Sequence, residues 1–228
     1  MKKNYCKRLI EVDLPIKRIS EHARNEKNMR KGHPWHLHIW WARRPWGACR
    51  AVALAALLPA PVDQTCSQDF IDSAYNILAP IGFKPASKSR EDIQLSLLRF
   101  VAEYACFEMG QEQVFSEAAR NLVSIASGVN KPLVFDSFSG YGAIPAEATR
   151  LGCESMAFDL NPVAILCMKT LLESVPKYGH ILIEKYQEGA EFVKQEAQRR
   201  LSNYYPKHKN KMPIAYLWAR TIMCEGPA

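Results

Sequence analysis

The stretch "LVFDSFSGYGAIPAEATRLGCESMAFDLNP", Leu133 to Pro162, decides how this chain is read. An apolar run ends in Asp136, a glycine-bearing turn and a helical stretch follow, and a second apolar run ends in Asp159. "PLVFD" and "SMAFD" have the length and the β-preferring residues of short buried strands. Ala143 to Leu151 reads as a helix closed by Gly152, and Asn161-Pro162 as a helix start, a cap followed by proline at the first helical position. Strand, helix and strand in this order imply parallel pairing through a right-handed crossover. Ligands of open parallel sheets bind beyond the carboxyl ends of the strands, where both acids fall. Gly140 and Gly142 permit positive φ and a close approach of backbone to ligand. Asp159 follows Asp136 by 23 residues, a spacing that suits hydrogen bonds to ribose hydroxyls. The glycines alone are equally those of a tight turn in any β–α–β unit. The turn is also not G-x-G-x-x-G, and a pyrophosphate would be opposed by the carboxylate of Asp136. An acid there suits a cationic ligand, such as the α-amino group of S-adenosylmethionine.

Working outward, the chain has 228 residues, enough for one large domain or one domain with an appendage. Hydrophobic residues make up 48% and charged residues 23%, a balance that excludes an intrinsically disordered chain. The apolar run from Ala51 to Leu58 is too short to span a bilayer and starts too late to be a signal-peptide core. Seven cysteines (Cys6, Cys49, Cys66, Cys106, Cys153, Cys167, Cys224) form no C-x-x-C pair, so no disulfide framework or complete metal site is expected. A reducing cytoplasm is the expected setting. The net charge of +7 is uneven: residues 1–50 carry 13 Lys/Arg against 4 Asp/Glu, and the remainder carry 17 against 19. A basic front end of this kind points toward a polyanion such as DNA.

The periodicities divide the chain into a basic aromatic segment, 1–60, a helical region, 61–130, and a cofactor-binding part, 131–228. A helix after Pro45 runs through Ala51–Leu58 to the prolines at 59 and 61, and another covers Asp69 to Leu78. Ser89 with Asp92 resembles a capping box. It opens a helix whose stripe is Leu95, Leu98, Val101, Ala102 and Ala105. Gln111 to Ser127 repeats the pattern with Val114, Phe115, Ala118, Leu122 and Ile125. A long amphipathic helix is expected over His180 to Asn203, and "IAYLW" reads as a third strand.

Beyond these patterns, "DSFSGYG" is similar to the D-P-F-x-G-x-G motif of amino-group DNA methyltransferases. The chain resembles one family in particular, the adenine-specific DNA methylases that carry a zinc ribbon. The match takes in "KRLIEVDLPIKRISEHARNEK", "GH…LHIWWARRPWGACRA", the stretch from Asp136 to Ala164, and "YLWAR". The resemblance implies an α/β fold, part of a Rossmann-like methyltransferase sheet preceded by a basic, mainly helical region. It implies S-adenosylmethionine as cofactor, with Asp136 and the backbone around Phe138, Gly140 and Gly142 holding the methionine part. Asp159 would take the ribose, and Asn161 would lie near the adenosine. Two departures stand out: Ser137 replaces the usual proline, and Tyr141, where a small residue is common, is placed to crowd the cofactor.

Methylation of an adenine amine uses an N/D-P-P-Y loop, which grips the amine of a base flipped from the duplex. No such tetrapeptide occurs, so no catalytic residue is assigned. Cys224 resembles the first cysteine of the zinc ribbon, and one thiolate makes no four-ligand site, so no metal is assigned. The chain is therefore expected to be the N-terminal portion of a longer methylase, with little activity of its own. A second chain is a possible source of the missing loop.

In "HPWHLHIWWARRPW", Trp40, Trp41, Arg43 and Arg44 are candidates to stack on bases and contact phosphates. Packing of the tryptophans on the core is the equal alternative. His36 and His38 alone make a weak metal pair. Two other functions stay open: a non-catalytic DNA-binding or assembly module, and part of an RNA methylase.

Overall fold

The computed structural model describes residues 5–29, 32–37 and 44–205, and positions 215, 217, 219–223 and 226. The chain divides into two units, Met1–Lys177 and Tyr178–Ala228. In the first, helices α1 (Leu9–Val12), α2 (Ile16–Lys27), α3 (Trp46–Leu57), α4 (Gln68–Leu78), α5 (Arg90–Tyr104) and α6 (Gln113–Ser127) precede the first strand. Then come β1 (Leu133–Asp136), α7 (Ala143–Arg150), β2 (Glu154–Ala157) and α8 (Pro162–Lys169), which runs into a π-helical turn, Thr170–Ser174.

The local signals that start these helices are short-range side-chain bonds. Ser67 Oγ accepts the Phe70 N–H (3.3 Å), Ser89 Oγ the Asp92 N–H (3.2 Å), and Asn161 Oδ1 the Val163 N–H (2.9 Å). Each satisfies a backbone donor that the first helical turn leaves free. The N-terminal segment is tied down by backbone: Leu9 N–H donates to the Leu58 carbonyl and Ala60 N–H to that of Lys7, both at 2.8 Å.

The main core runs from α1 through α3–α6 to Ala148 and Leu151 of α7. At α3 the packing is close enough to require glycine, because a Cβ on Gly47 would overlap the Ala105 carbonyl. On α5 the buried face is Ile93, Leu97, Phe100, Val101 and Tyr104, whereas Leu95 is 59% exposed. Of the stripe expected from spacing, Val101, Ala102 and Ala105 are buried and Leu98 packs half-buried against the core, so Leu95 is its one exposed member. Ile93, Leu97 and Phe100 widen the buried face beyond that stripe, because α2, α3 and α4 all pack against α5.

Strands β1 and β2 pair in parallel, Leu133 opposite Glu154 and Asp136 opposite Ala157. The expected Rossmann-like methyltransferase sheet is corrected here: the protein is mostly helical, and these two four-residue strands are the whole sheet among the described residues. A parallel sheet of that type needs several strands covered on both faces. Here α7 packs against both strands, while Leu133, Phe135, Met156 and Phe158 on the other face are 46–61% exposed. Ile214, Tyr216 and Trp218, three of the five residues in "IAYLW", lie outside the described residues.

The helix Val175–Leu201 begins in the first unit and continues into the second; it carries no buried residue, and its Tyr186 and Val193 are exposed. Gly179 (φ +47°) breaks its helical geometry. Among the described residues no helix is long and apolar enough to cross a membrane.

One ion pair joins the helical part to the β–α–β unit. Arg50 of α3 and Glu147 of α7 are both fully buried; Arg50 Nε and Nη2 donate to the two carboxylate oxygens at 2.8 and 3.1 Å. Arg50 Nη1 also donates to the carbonyls of Tyr104 (2.8 Å) and Cys106 (3.1 Å), and the guanidinium lies 4.9 Å from the Tyr104 ring centre. Burial pulls the guanidinium pKa down, but the hydrogen bonds and charge of Glu147 outweigh it and leave the pKa raised. Glu147→Ala leaves this cation buried without its counter-charge and should cost about 3–5 kcal/mol. The Arg50→Met/Glu147→Leu double variant should lose less than the sum of the two single variants. Urea denaturation followed by circular dichroism measures both.

Candidate functional site

The turn after β1 and the turn after β2 lie side by side and are stitched together by Ser139. Its N–H donates to the Phe158 carbonyl (2.9 Å) and its Oγ–H to the Asp136 carbonyl (2.8 Å). Asp159 makes the second stitch. Its Oδ2 accepts the Gly140 N–H (2.8 Å) and its Oδ1 the Asn161 N–H (2.9 Å). Asp136 Oδ1 accepts the Phe138 N–H at 3.1 Å. Asp159 thus holds two backbone donors of the loop pair, and Asp136 holds one.

The glycines differ in what they do. Gly142 (φ +90°) is the cap of α7, and a Cβ on it would come within 2.9 Å of Met168 Cγ, so packing against α8 already demands glycine. Gly140 (φ +56°) meets nothing within 4 Å in the direction of a Cβ. Its conformation requires glycine, and open space lies beside it. That space belongs to a cleft of about 180 Å³ lined by Arg44, Asp136, Phe138, Gly140, Ile144 and Asp159, among others.

Each residue expected at the cofactor has a definite place. Asp136, Phe138, Gly140 and Asp159 are brought together on the cleft. Phe138 is 77% exposed. Gly142 sits behind the turn, and Asn161 spends its Oδ1 on capping α8. Of the residues expected to meet nucleic acid, Trp40, Trp41 and Arg43 lie outside the described residues. Arg44 is exposed on the rim of the cleft, beside the two acids.

Tyr141 is among the residues that line this cleft. It is 2% exposed and stacks on Trp46, ring centres 6.1 Å apart, in a small second core with Ala143 and Ala146. Trp46 Nε1–H donates to the Tyr141 hydroxyl (2.7 Å), which donates to the Arg44 carbonyl (2.7 Å). The glycine turn is thereby fastened to the segment carrying Arg44. Behind it, buried Glu26 accepts the N–H groups of Trp46 (2.6 Å) and Gly47 (3.0 Å) and lies 2.7 Å from His33 Nε2. A carboxylate at the first turn of α3 complements both its free donors and its dipole. Ser139, Tyr141, Trp46 and Glu26 were not assigned to the site from sequence. The odd tyrosine between two glycines was the one local signal for any of them. No group of three or more metal-ligating side chains occurs among the described residues.

These features define a mainly helical protein with one parallel β–α–β unit, whose strand ends form a small cleft of two carboxylates and one guanidinium. A family model described as a protein of unknown function (DUF1156) matches residues 13–78, the span that holds Glu26, Arg44, Trp46 and Arg50. No curated protein and no solved structure matches the chain.

Two outcomes follow from this geometry. Tyr141→Phe strands the Trp46 N–H and should cost about 1–3 kcal/mol, read from denaturant midpoints. Burial, reinforced by the Glu147 charge, pushes the Cys49 thiol up to about 12, and burial also raises the Tyr141 phenol. Above about pH 8.5 an unfolded thiol sheds a proton that the folded chain retains. Stability should therefore be full below that pH and fall as pH rises toward 12, as thermal melts across the range would show. A flat profile there would contradict the assignment.

Proposed function

We propose that this chain binds S-adenosylmethionine at the strand-end cleft and serves as the cofactor-binding portion of a DNA adenine N6-methyltransferase. The single observation that carries the reading is the convergence of Asp136, Gly140 and Asp159 on one cleft beyond the carboxyl ends of β1 and β2. The adenine-methylase part of the proposal comes from the sequence resemblance alone. The residues present fit the methionine end of the cofactor: open space beside Gly140 admits close backbone approach, and Asp136 offers an anion to an ammonium group. At about 180 Å³ the cleft is smaller than the roughly 300–1,000 Å³ of whole small-molecule sites, so it takes only part of the ligand. Bound there, S-adenosylmethionine supplies an electrophilic methyl group. The chain's own residues bind and orient it: Asp159 fixes the turn through Gly140 and Asn161, and Tyr141 with Trp46 holds the turn from behind.

One observation favours a second reading. Both oxygens of Asp159 and the Oδ1 of Asn161 already serve backbone donors, so the loop pair is explained without a ligand. On that reading the chain is a non-catalytic nucleic-acid-binding or assembly module. Titration calorimetry with S-adenosylmethionine separates the two. The first expects saturable binding, weakened roughly tenfold or more by Asp136→Ala. Absence of binding by a chain with a cooperative melt favours the second.

A further inference from the structure

Arg44 was expected to face DNA, yet it shares the rim of the cleft with Asp136 and Asp159. Its backbone is not free to wander. The Arg44 carbonyl accepts the Tyr141 hydroxyl, and two residues on, the Trp46 N–H is held by Glu26. The guanidinium is therefore presented from a fixed point to the glycine turn. Across the cleft the two acids are not equivalent. Asp159 has both oxygens on backbone N–H groups, whereas Asp136 accepts the Phe138 N–H through Oδ1 only.

A cleft with one available carboxylate and one guanidinium is bipolar. A polyphosphate would meet Arg44 favourably and both acids unfavourably, and a simple amine would leave Arg44 unanswered. A zwitterion answers both, and a planar guanidinium matches a carboxylate with two parallel hydrogen bonds. We infer that the cleft takes a zwitterionic α-amino-acid head group, with Arg44 receiving the carboxylate and Asp136 the ammonium. This inference rests on the cofactor reading proposed above and assigns Arg44 as a specificity residue within it rather than a phosphate contact.

The test is calorimetric, on the full chain, with three probes: S-adenosylmethionine, its decarboxylated form, and methylthioadenosine, which lacks the amino-acid end altogether. Wild type should bind S-adenosylmethionine roughly tenfold or more tightly than the decarboxylated form. Arg44→Ala should erase that ratio by weakening only the carboxylate-bearing ligand, and Arg44→Lys should restore part of it. Arg44 is exposed, so the variant should keep the wild-type melting temperature. An unchanged ratio in Arg44→Ala, or equal wild-type affinity for all three probes, overturns the inference while the cofactor reading stands. Failure of wild type to bind any of the three overturns both.

Discussion

The Arg50–Glu147 ion pair is the constraint on which the site depends. Two charges with no exposed side-chain surface cannot be left unanswered, because solvent is absent and the desolvation cost of either alone is several kcal/mol. Their bidentate contact fixes α7 against α3, and α7 is the helix that the glycine turn feeds. The same guanidinium gathers the end of α5 through the carbonyls of Tyr104 and Cys106. Gly110 belongs to this arrangement as well, since a Cβ there would overlap the guanidinium. Arg50 thus ties the helical part to the β–α–β unit.

From that joint the order propagates outward. Trp46 begins α3 four residues before Arg50, and Glu26 holds its N–H. The indole reaches the Tyr141 hydroxyl, and through it the Arg44 carbonyl. The turn between Asp136 and Gly142 is therefore positioned by buried groups on its protein side and by Ser139 and Asp159 on its open side. A loop held in this way is preorganised, and a ligand entering the cleft need not supply the free energy of ordering it.

What was legible in the sequence was short-range. The caps at Ser89 and Asn161, the turn glycines and the two β-runs each declare themselves within a few residues. The sequence separation of Arg50 from Glu147 is 97, and no local pattern couples them. The same holds for Trp46 and Tyr141, and no local pattern announces the hydrogen bond by which the tyrosine fastens the turn. Arg44 read as part of a nucleic-acid block because its neighbours are tryptophans and arginines, and only the tertiary fold sets it beside Asp136. The Rossmann-like sheet failed for a related reason. A motif of strand, turn and helix specifies one crossover, and it does not specify how many strands are laid beside it.

We propose that a ligand binds where the β1 and β2 turns meet. Amide hydrogen exchange with and without S-adenosylhomocysteine tests it most directly, because it locates binding without requiring turnover. Bound ligand should slow exchange at residues 138–144 and 159–163 and at the start of α3, and leave the core helices α4–α6 unchanged. Saturating ligand that leaves those amides untouched, or that protects a different region, would contradict it.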